Sequence, residues 1–124
     1  MGDRMVIGFQ TEPSEPIVYL YSHWGGEARN EILVNALSKA RNRWEDSGYG
    51  TRIVMSHIIG NDWSGELGYG IYVNDYPEPD YPDIYVVEWS NQVVSTRSAK
   101  NPESMFALSS VSFEDFVKSA KLSV

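Results

Sequence analysis

The residues best suited to chemistry lie in the stretch 17–27, where an apolar run meets two glycines and a helix-like sequence follows. A strand, a glycine turn and a helix start together leave backbone N–H groups facing outward, and such groups bind anions. His23 and Trp24 directly precede Gly25 and Gly26. The glycines would let an anion approach closely, and Trp24 would stack on a base, which is worth about 1–3 kcal/mol in single-strand binders. The sequence therefore predicts a ligand site at this turn.

Four further side chains are predicted to complete this ligand site. Arg29 and Arg52 supply cationic donors for an anion. His57 is expected to share the pocket. Trp63, in a glycine-rich loop, is expected either to serve as a mobile lid or a binding hot spot or to fold back and cover the core. The turn also fits a purely structural role. Glu27 favours that role, because its carboxylate would compete with an anion at the same helix end.

Two histidines and two carboxylates have the types needed for a hydrolytic site. His23, His57, Asp62 and Glu66 could form a metal site or an acid–base pair. The chain has only two histidines and lacks the His-Glu-x-x-His spacing. The main prediction is therefore a non-catalytic protein without metal or cofactor, and a small metal- or His-dependent hydrolase stays open as an alternative.

An acidic loop at 75–83 holds four carboxylates and three prolines. It lacks the Asp-x-Asp-x-Asp-Gly order of a calcium loop. It fits either a solvated hairpin loop or a docking segment for a basic protein partner. Together with an exposed Trp63, the docking interpretation gives a second alternative, an inhibitor that acts by protein–protein interaction.

Chain length, net charge and amino-acid composition limit the classes of protein to which this chain can belong. A chain of 124 residues suits one domain, 1–124. Its net charge of -7 and its ten scattered Lys and Arg residues disfavour a long nucleic acid as partner. Cysteine is absent, which excludes disulfides and thiolate catalysis. No run approaches the roughly 20 apolar residues of a membrane span, and no secretory signal is evident. We expect a cytoplasmic protein with no membrane partner.

Hydrophobic patterning predicts the elements that must position these residues. Strands are predicted over 4–10, 17–22, 69–73, 83–89 and 92–97, with a short edge strand over 105–108. A helix is predicted over 27–46, ending at Ser47-Gly48, and the segment 50–60 favours helix over strand. A last helix opens at the N-cap Ser112. This order predicts an α+β fold, with an antiparallel sheet (an N-terminal hairpin plus a later meander) packed against two or three helices.

Four segments resemble a group of small accessory proteins encoded by tailed bacteriophages. They are Leu-Tyr-Ser-His-Trp-Gly-Gly at 20–26, Arg-Trp at 43–44, Gly-Tyr-Gly-Ile at 68–71 and Ser-Phe-Glu-Asp-Phe at 112–116. The resemblance implies a viral protein that acts in the host bacterial cytoplasm on host defence or metabolism. With the predicted turn, it favours a binder that sequesters a small anionic, nucleotide-like ligand. The aromatic-rich composition and the hairpin edges also suit a homodimer.

Overall fold

Runs of β-branched and aromatic residues form the strands of one six-stranded sheet. A computed structural model of the chain describes residues 3–73, 75–103 and 107–119. The strands are β1 (Met5–Gln10), β2 (Val18–Ser22), β3 (Tyr69–Tyr72), β4 (Asp83–Glu88), β5 (Val93–Ser98) and β6 (Ser109–Ser112). The helices are α1 (Arg29–Lys39), α2 (Ser47–Ile59) and α3 (Phe113–Ser119). The predicted α+β class is confirmed.

The sheet joins the N-terminal hairpin to the later meander through one parallel pair. Its strand order is β3-β2-β1-β4-β5-β6, and every neighbouring pair except β1 and β4 is antiparallel. The predicted hairpin of β1 and β2 is confirmed, as is the meander that β4 opens. Ile7 lies opposite Tyr85 in the parallel pair. Because β3 and β6 are the outer strands, each has one edge without a neighbouring described strand.

The predicted helix over 27–46 is wrong in its length. The chain instead forms α1, a short 3-10 turn (Arg41–Arg43) and then α2. Ser47-Gly48, the predicted helix end, is the first turn of α2. The reason is Asp46, whose side chain accepts a hydrogen bond from the backbone N–H of Tyr49 at 3.2 Å. An aspartate in that position begins a helix. The helix predicted over 50–60 is confirmed.

Replacing Asp46 with alanine should destabilise the protein by about 1 kcal/mol, the usual cost of losing an N-cap side chain. The Tyr49 N–H would lose its acceptor while the rest of the packing stays the same. Urea denaturation measures the change. Asp46→Asn, which keeps an acceptor oxygen, is the matched control and should lose much less. Equal losses in the two variants would contradict the capping role.

In the C-terminal part of the chain, the structure contains the predicted helix but differs from the prediction in its last strand. The Asp115 N–H donates to Ser112 Oγ at 3.1 Å, so the predicted cap of α3 is confirmed. The edge strand predicted over 105–108 falls partly on residues 105 and 106, which lie outside the described residues. Ala107 and Leu108 are not in a strand, and the observed edge strand is β6, one residue later.

Apolar residues form a core on each face of the sheet. The helix face is covered by α1, α2 and α3, whose buried residues pack on Met5, Ile7, Leu20 and Val87. The opposite face, called here the open face, buries a smaller cluster that includes Tyr19, Tyr21, Ile84 and Val86. Loop residues Tyr76 and Ala99 pack against this second cluster. The sheet therefore presents different chemistry on its two sides.

Candidate functional site

The backbone N–H groups of the predicted anion site are already bonded within the chain. Gly26 N–H donates to the Asp3 carbonyl at 3.0 Å, and Glu27 N–H donates to Asp3 Oδ1 at 2.8 Å. The first helix begins later, at Arg29. The expectation of free N–H groups after Gly25 is therefore wrong, because the carboxylate of Asp3 occupies the position that an external anion would need.

Tight packing explains the two glycines of this turn. A Cβ on Gly26 would lie 2.3 Å from Tyr81 Cε2 and 3.0 Å from the carbonyl oxygens of Asp3 and Arg4. Gly25 has φ +92°, a conformation that favours glycine. The Tyr81 hydroxyl donates to Asp3 Oδ1 at 2.6 Å. This hydrogen bond is the largest cause that raises the pKa of Tyr81, and burial is the next. The turn thus closes around the chain's own N-terminal segment.

Arg29, predicted to bind an anion, is engaged in the same closure. Its guanidinium donates to the Gly26 carbonyl at 2.7 Å and to Asp83 Oδ1 at 3.1 Å. Its Cζ also lies 4.4 Å from the centre of the Tyr81 ring. Arg29 therefore ties the turn to the start of β4.

The remaining predicted ligand residues divide between different surfaces. His23 is exposed, and its Nδ1 shares a 2.8 Å hydrogen bond with the Tyr21 hydroxyl, whose ring packs in the open-face cluster. Arg52 is exposed on α2, and its Cζ lies 6.0 Å from the centre of the Tyr49 ring. Trp24 and His57, however, line one notch of about 210 Å³ together with Gly25. The structure brings these three predicted residues together and leaves His23 and Arg52 out of the notch.

A second notch of about 200 Å³ lies beside the first and contains the predicted Trp63. Its wall includes Leu67, Tyr69 and Ile71, and Tyr69 also lines the notch of Trp24. Both notches are smaller than the roughly 300–1,000 Å³ of typical small-molecule sites. Their size suits single side chains of a protein partner better than a nucleotide.

The two notches belong to one exposed apolar region, called here the β3 surface. Its members are Trp24, Trp63, Leu67, Tyr69 and Ile71. Tyr72 and Val73 are also exposed, but Tyr72 lies on the open face, where its ring contacts that of Tyr21. Leu67 is 85% exposed, Trp24 54% and Ile71 50%. Clustered exposure of this kind marks interaction sites, whereas single exposed apolar residues are ordinary.

The backbone of β3 adds hydrogen-bonding groups to this surface. The His23 N–H donates to the Gly68 carbonyl at 2.8 Å and continues the β2–β3 register. Bonded and non-bonded pairs alternate along an antiparallel ladder. Gly70 therefore directs its polar groups to β2, whereas Tyr69 and Ile71 direct theirs away from it. Among the described residues, no strand pairs with this outer edge.

Net negative charge is concentrated in the part of the chain that contains β3. Residues 53–96 contain seven Asp and Glu residues and no Lys or Arg, although the whole chain has ten Lys and Arg. Three of the seven form ion pairs with arginines from other segments, in the pairs Arg4–Asp80, Arg29–Asp83 and Arg97–Glu88. Asp62 and Glu66, which flank Trp63, form no ion pair within the described parts of the chain. The loop beside β3 is therefore negatively charged.

The acidic loop is held against the protein by Arg4, and the prediction of a hairpin loop is wrong, because β3 and β4 are not neighbours in the sheet. The Arg4 guanidinium donates to Asp80 Oδ1 at 2.9 Å, and the Arg4 backbone N–H donates to Asp80 Oδ2 at 2.7 Å. These hydrogen bonds hold the pKa of the Asp80 carboxyl down to about 2. Asp75 and Glu78 stay exposed.

Asp80→Asn should make stability less dependent on pH in acid. A carboxyl with a lowered folded-state pKa stabilises the protein above its unfolded pKa, near 4, and loses that contribution as the pH falls toward 2. The variant should be less stable than the wild type at neutral pH, and this difference should vanish near pH 2. Urea denaturation at several pH values measures it. Glu12→Gln, which removes an exposed carboxylate without a described ion pair, should show no such convergence, and a difference for Asp80→Asn that stays constant with pH would contradict the prediction.

The hydrolase alternative gains no support from the geometry. Over residues 3–73, 75–103 and 107–119, no group of three or more His, Cys, Asp or Glu side chains is placed to hold a metal ion. His57 lines the notch of Trp24, Asp62 lines the second notch, and His23 lines neither. The same described ranges contain no helix long and apolar enough to cross a membrane.

Comparison of the chain with protein-family models, with curated proteins and with solved structures finds no match. Sequence reasoning identified Trp24 and Trp63 and missed Leu67, Tyr69 and Ile71. Two signals were available: the segment 67–73 has no polar face, and the surrounding sequence lacks any basic residue.

Proposed function

We propose that this protein is a non-catalytic binding module that captures another protein through the β3 surface. The observation that carries the proposal is an open strand edge flanked by exposed aromatic and aliphatic side chains. An extended segment of a partner would pair with the outward N–H and C=O groups of Tyr69 and Ile71. Its alternate side chains would enter the notches beside Trp24 and Trp63.

Charge defines the partner further. Asp62 and Glu66 lie beside the β3 surface and attract cationic groups, because opposite charges steer association and fix its register. The partner segment should therefore combine alternating apolar residues with a nearby Lys or Arg. The resemblance to phage accessory proteins favours a host protein as the source of this segment. A small anionic ligand is not favoured, since Asp3 fills the predicted anion position.

A displayed library of random peptides tests the proposal directly. Selection against the wild-type protein should enrich peptides with alternating apolar residues flanked by Lys or Arg. Ile71→Pro removes one outward N–H and leaves the bonds to β2 in place, since proline is tolerated on the free side of an edge strand. We expect it to weaken binding at least about tenfold, or 1.4 kcal/mol.

Ser110→Pro is the matched control, because Ser110 lies on β6 at the opposite edge of the sheet. Its binding should equal that of the wild type. No enrichment, or equal losses in both variants, would overturn the proposal. A second copy of the chain is the competing occupant: a dimer in sedimentation that Ile71→Pro dissociates, with no peptide enriched, would also overturn it and would support the predicted homodimer.

A further inference from the structure

A third and larger concavity lies on the open face of the sheet. It encloses about 600 Å³, within the range of small-molecule sites. Tyr76 and Tyr81 contribute aromatic walls, and the buried Tyr19 packs against Tyr76. Asp75, Glu78 and Glu103 contribute carboxylates, and Lys100 contributes one ammonium group. We name this concavity the tyrosine groove. No residue of the predicted ligand site lines it.

Hydrogen bonds fix the walls of the tyrosine groove. The Tyr76 hydroxyl donates to the Ala99 carbonyl at 2.6 Å, and the Tyr81 hydroxyl donates to Asp3 at 2.6 Å. The rings of Tyr19 and Tyr76 lie 4.5 Å apart at 47°. The Ala99 N–H donates to the Pro82 carbonyl at 2.9 Å and so connects Ala99 to the acidic loop at 75–83. The rings are therefore held in place before any ligand arrives.

Most of the charged side chains that line the groove are carboxylates. Burial raises the pKa of Tyr19 and of Tyr76, and nearby carboxylates raise both further. Glu103 is the first charged contributor for Tyr19, and Asp75 is the first for Tyr76. Burial and the carboxylates both disfavour an ionised phenol, and Arg97 opposes them at Tyr19; only the carboxylates would favour a cation. Three carboxylates outnumber the single ammonium of Lys100.

From the aromatic walls and the carboxylates beside them, we propose that the tyrosine groove binds an organic cation, an alkylammonium or guanidinium group. Aromatic faces attract such cations by about 0.5–2 kcal/mol depending on desolvation. The molecule already contains this pairing, since the Arg29 guanidinium covers one face of Tyr81. A carboxylate pair at the rim would complete the recognition. This proposal is independent of the β3 surface.

The cation has two sources that share this chemistry: a free organic amine, or a Lys or Arg side chain of a protein. Titration of the isotope-labelled full chain with butane-1,4-diamine, followed by NMR, tests both. We expect saturable shifts at the backbone amides of Ala99, Lys100 and Asn101. Butane-1,4-diol, the uncharged analogue, should produce none, and added salt should weaken the diamine through screening.

Short Lys- and Arg-containing peptides distinguish the sources. Peptides that bind at least about tenfold tighter than the diamine would assign the groove to a protein side chain. Equal or weaker peptide binding would assign it to a free amine. Either result supports a cation site. Absence of saturable shifts with both diamine and peptides, or equal shifts with the diol, would overturn it.

Charge-neutralising variants complete the test without disturbing the fold. Glu78 and Glu103 are both exposed, and glutamine keeps an oxygen that can accept from the Tyr19 hydroxyl as Glu103 does, so the double variant Glu78→Gln/Glu103→Gln should stay folded. It should bind the diamine at least about fivefold more weakly, in line with two exposed ion pairs. Glu45→Gln removes an exposed carboxylate on the helix side and should bind like the wild type. Unchanged binding in the double variant would contradict the proposed role of the carboxylates.

Discussion

Gly26→Ala is expected to lower the free energy of unfolding by about 2–3 kcal/mol, near the upper end for overpacking a buried site. The new Cβ would meet Tyr81 Cε2 at 2.3 Å and two backbone oxygens at 3.0 Å. The ring of Tyr81 cannot easily withdraw. Its hydroxyl is bonded to Asp3, and its face is covered by Arg29. The clash therefore disturbs the N-terminal segment and the start of β4 together.

Urea denaturation of Gly26→Ala also decides what the glycine turn is for. If the turn serves the fold, the variant loses stability, and its binding to peptides at the β3 surface is unchanged once it is folded. If the turn instead admitted a ligand, the variant would keep its stability and lose the binding of that ligand. This result would contradict the structural role of the turn. Gly48→Ala is the matched control. Its Cβ would meet only Asp46 Oδ1, at 3.7 Å, in the first turn of α2. It should be neutral or stabilising by up to about 1 kcal/mol.

Local patterns sufficed for most of the fold. The N-terminal hairpin, the helix over 50–60 and the Ser112 cap all follow from residues that are neighbours in sequence. The parallel pairing of β1 with β4 does not, because those strands are far apart along the chain. The start of α2 at Ser47 is capped by the side chain of Asp46, and the apolar spacing that continues to Trp44 obscured this second helix start.

The candidate site was harder to predict than the fold for a related reason. The glycine turn has every local feature of an anion site, yet its N–H groups bond to Asp3, far away in sequence. Trp24 and Trp63 were recognisable from their neighbours, but their common surface exists only because β3 pairs with β2. The sequence and the structure also favour ligands of opposite charge. The turn predicted an anionic ligand, whereas the tyrosine groove is lined by three carboxylates and one ammonium group.

Phe113→Ala is expected to destabilise the protein by about 3–5 kcal/mol, the usual cost of deleting a buried phenyl ring. Phe113 is 1% exposed, and its ring lies 5.2 Å from that of Trp44 and 5.4 Å from that of Trp89. It therefore joins the helix layer to the sheet. Such a loss is a large part of the roughly 5–15 kcal/mol by which domains are stable.

Denaturation followed by tryptophan fluorescence measures this loss, because Trp44 and Trp89 are buried beside the deleted ring. Phe113→Leu keeps an apolar side chain and should lose less than the alanine variant. Val111→Ala, at a 40% exposed position on β6, should change stability by less than about 0.5 kcal/mol. Hydrogen exchange separates local from global effects: because Phe113 contacts both layers, protection should fall in the sheet as well as in α3. Loss confined to α3 would show that this helix docks on a sheet that is stable without it.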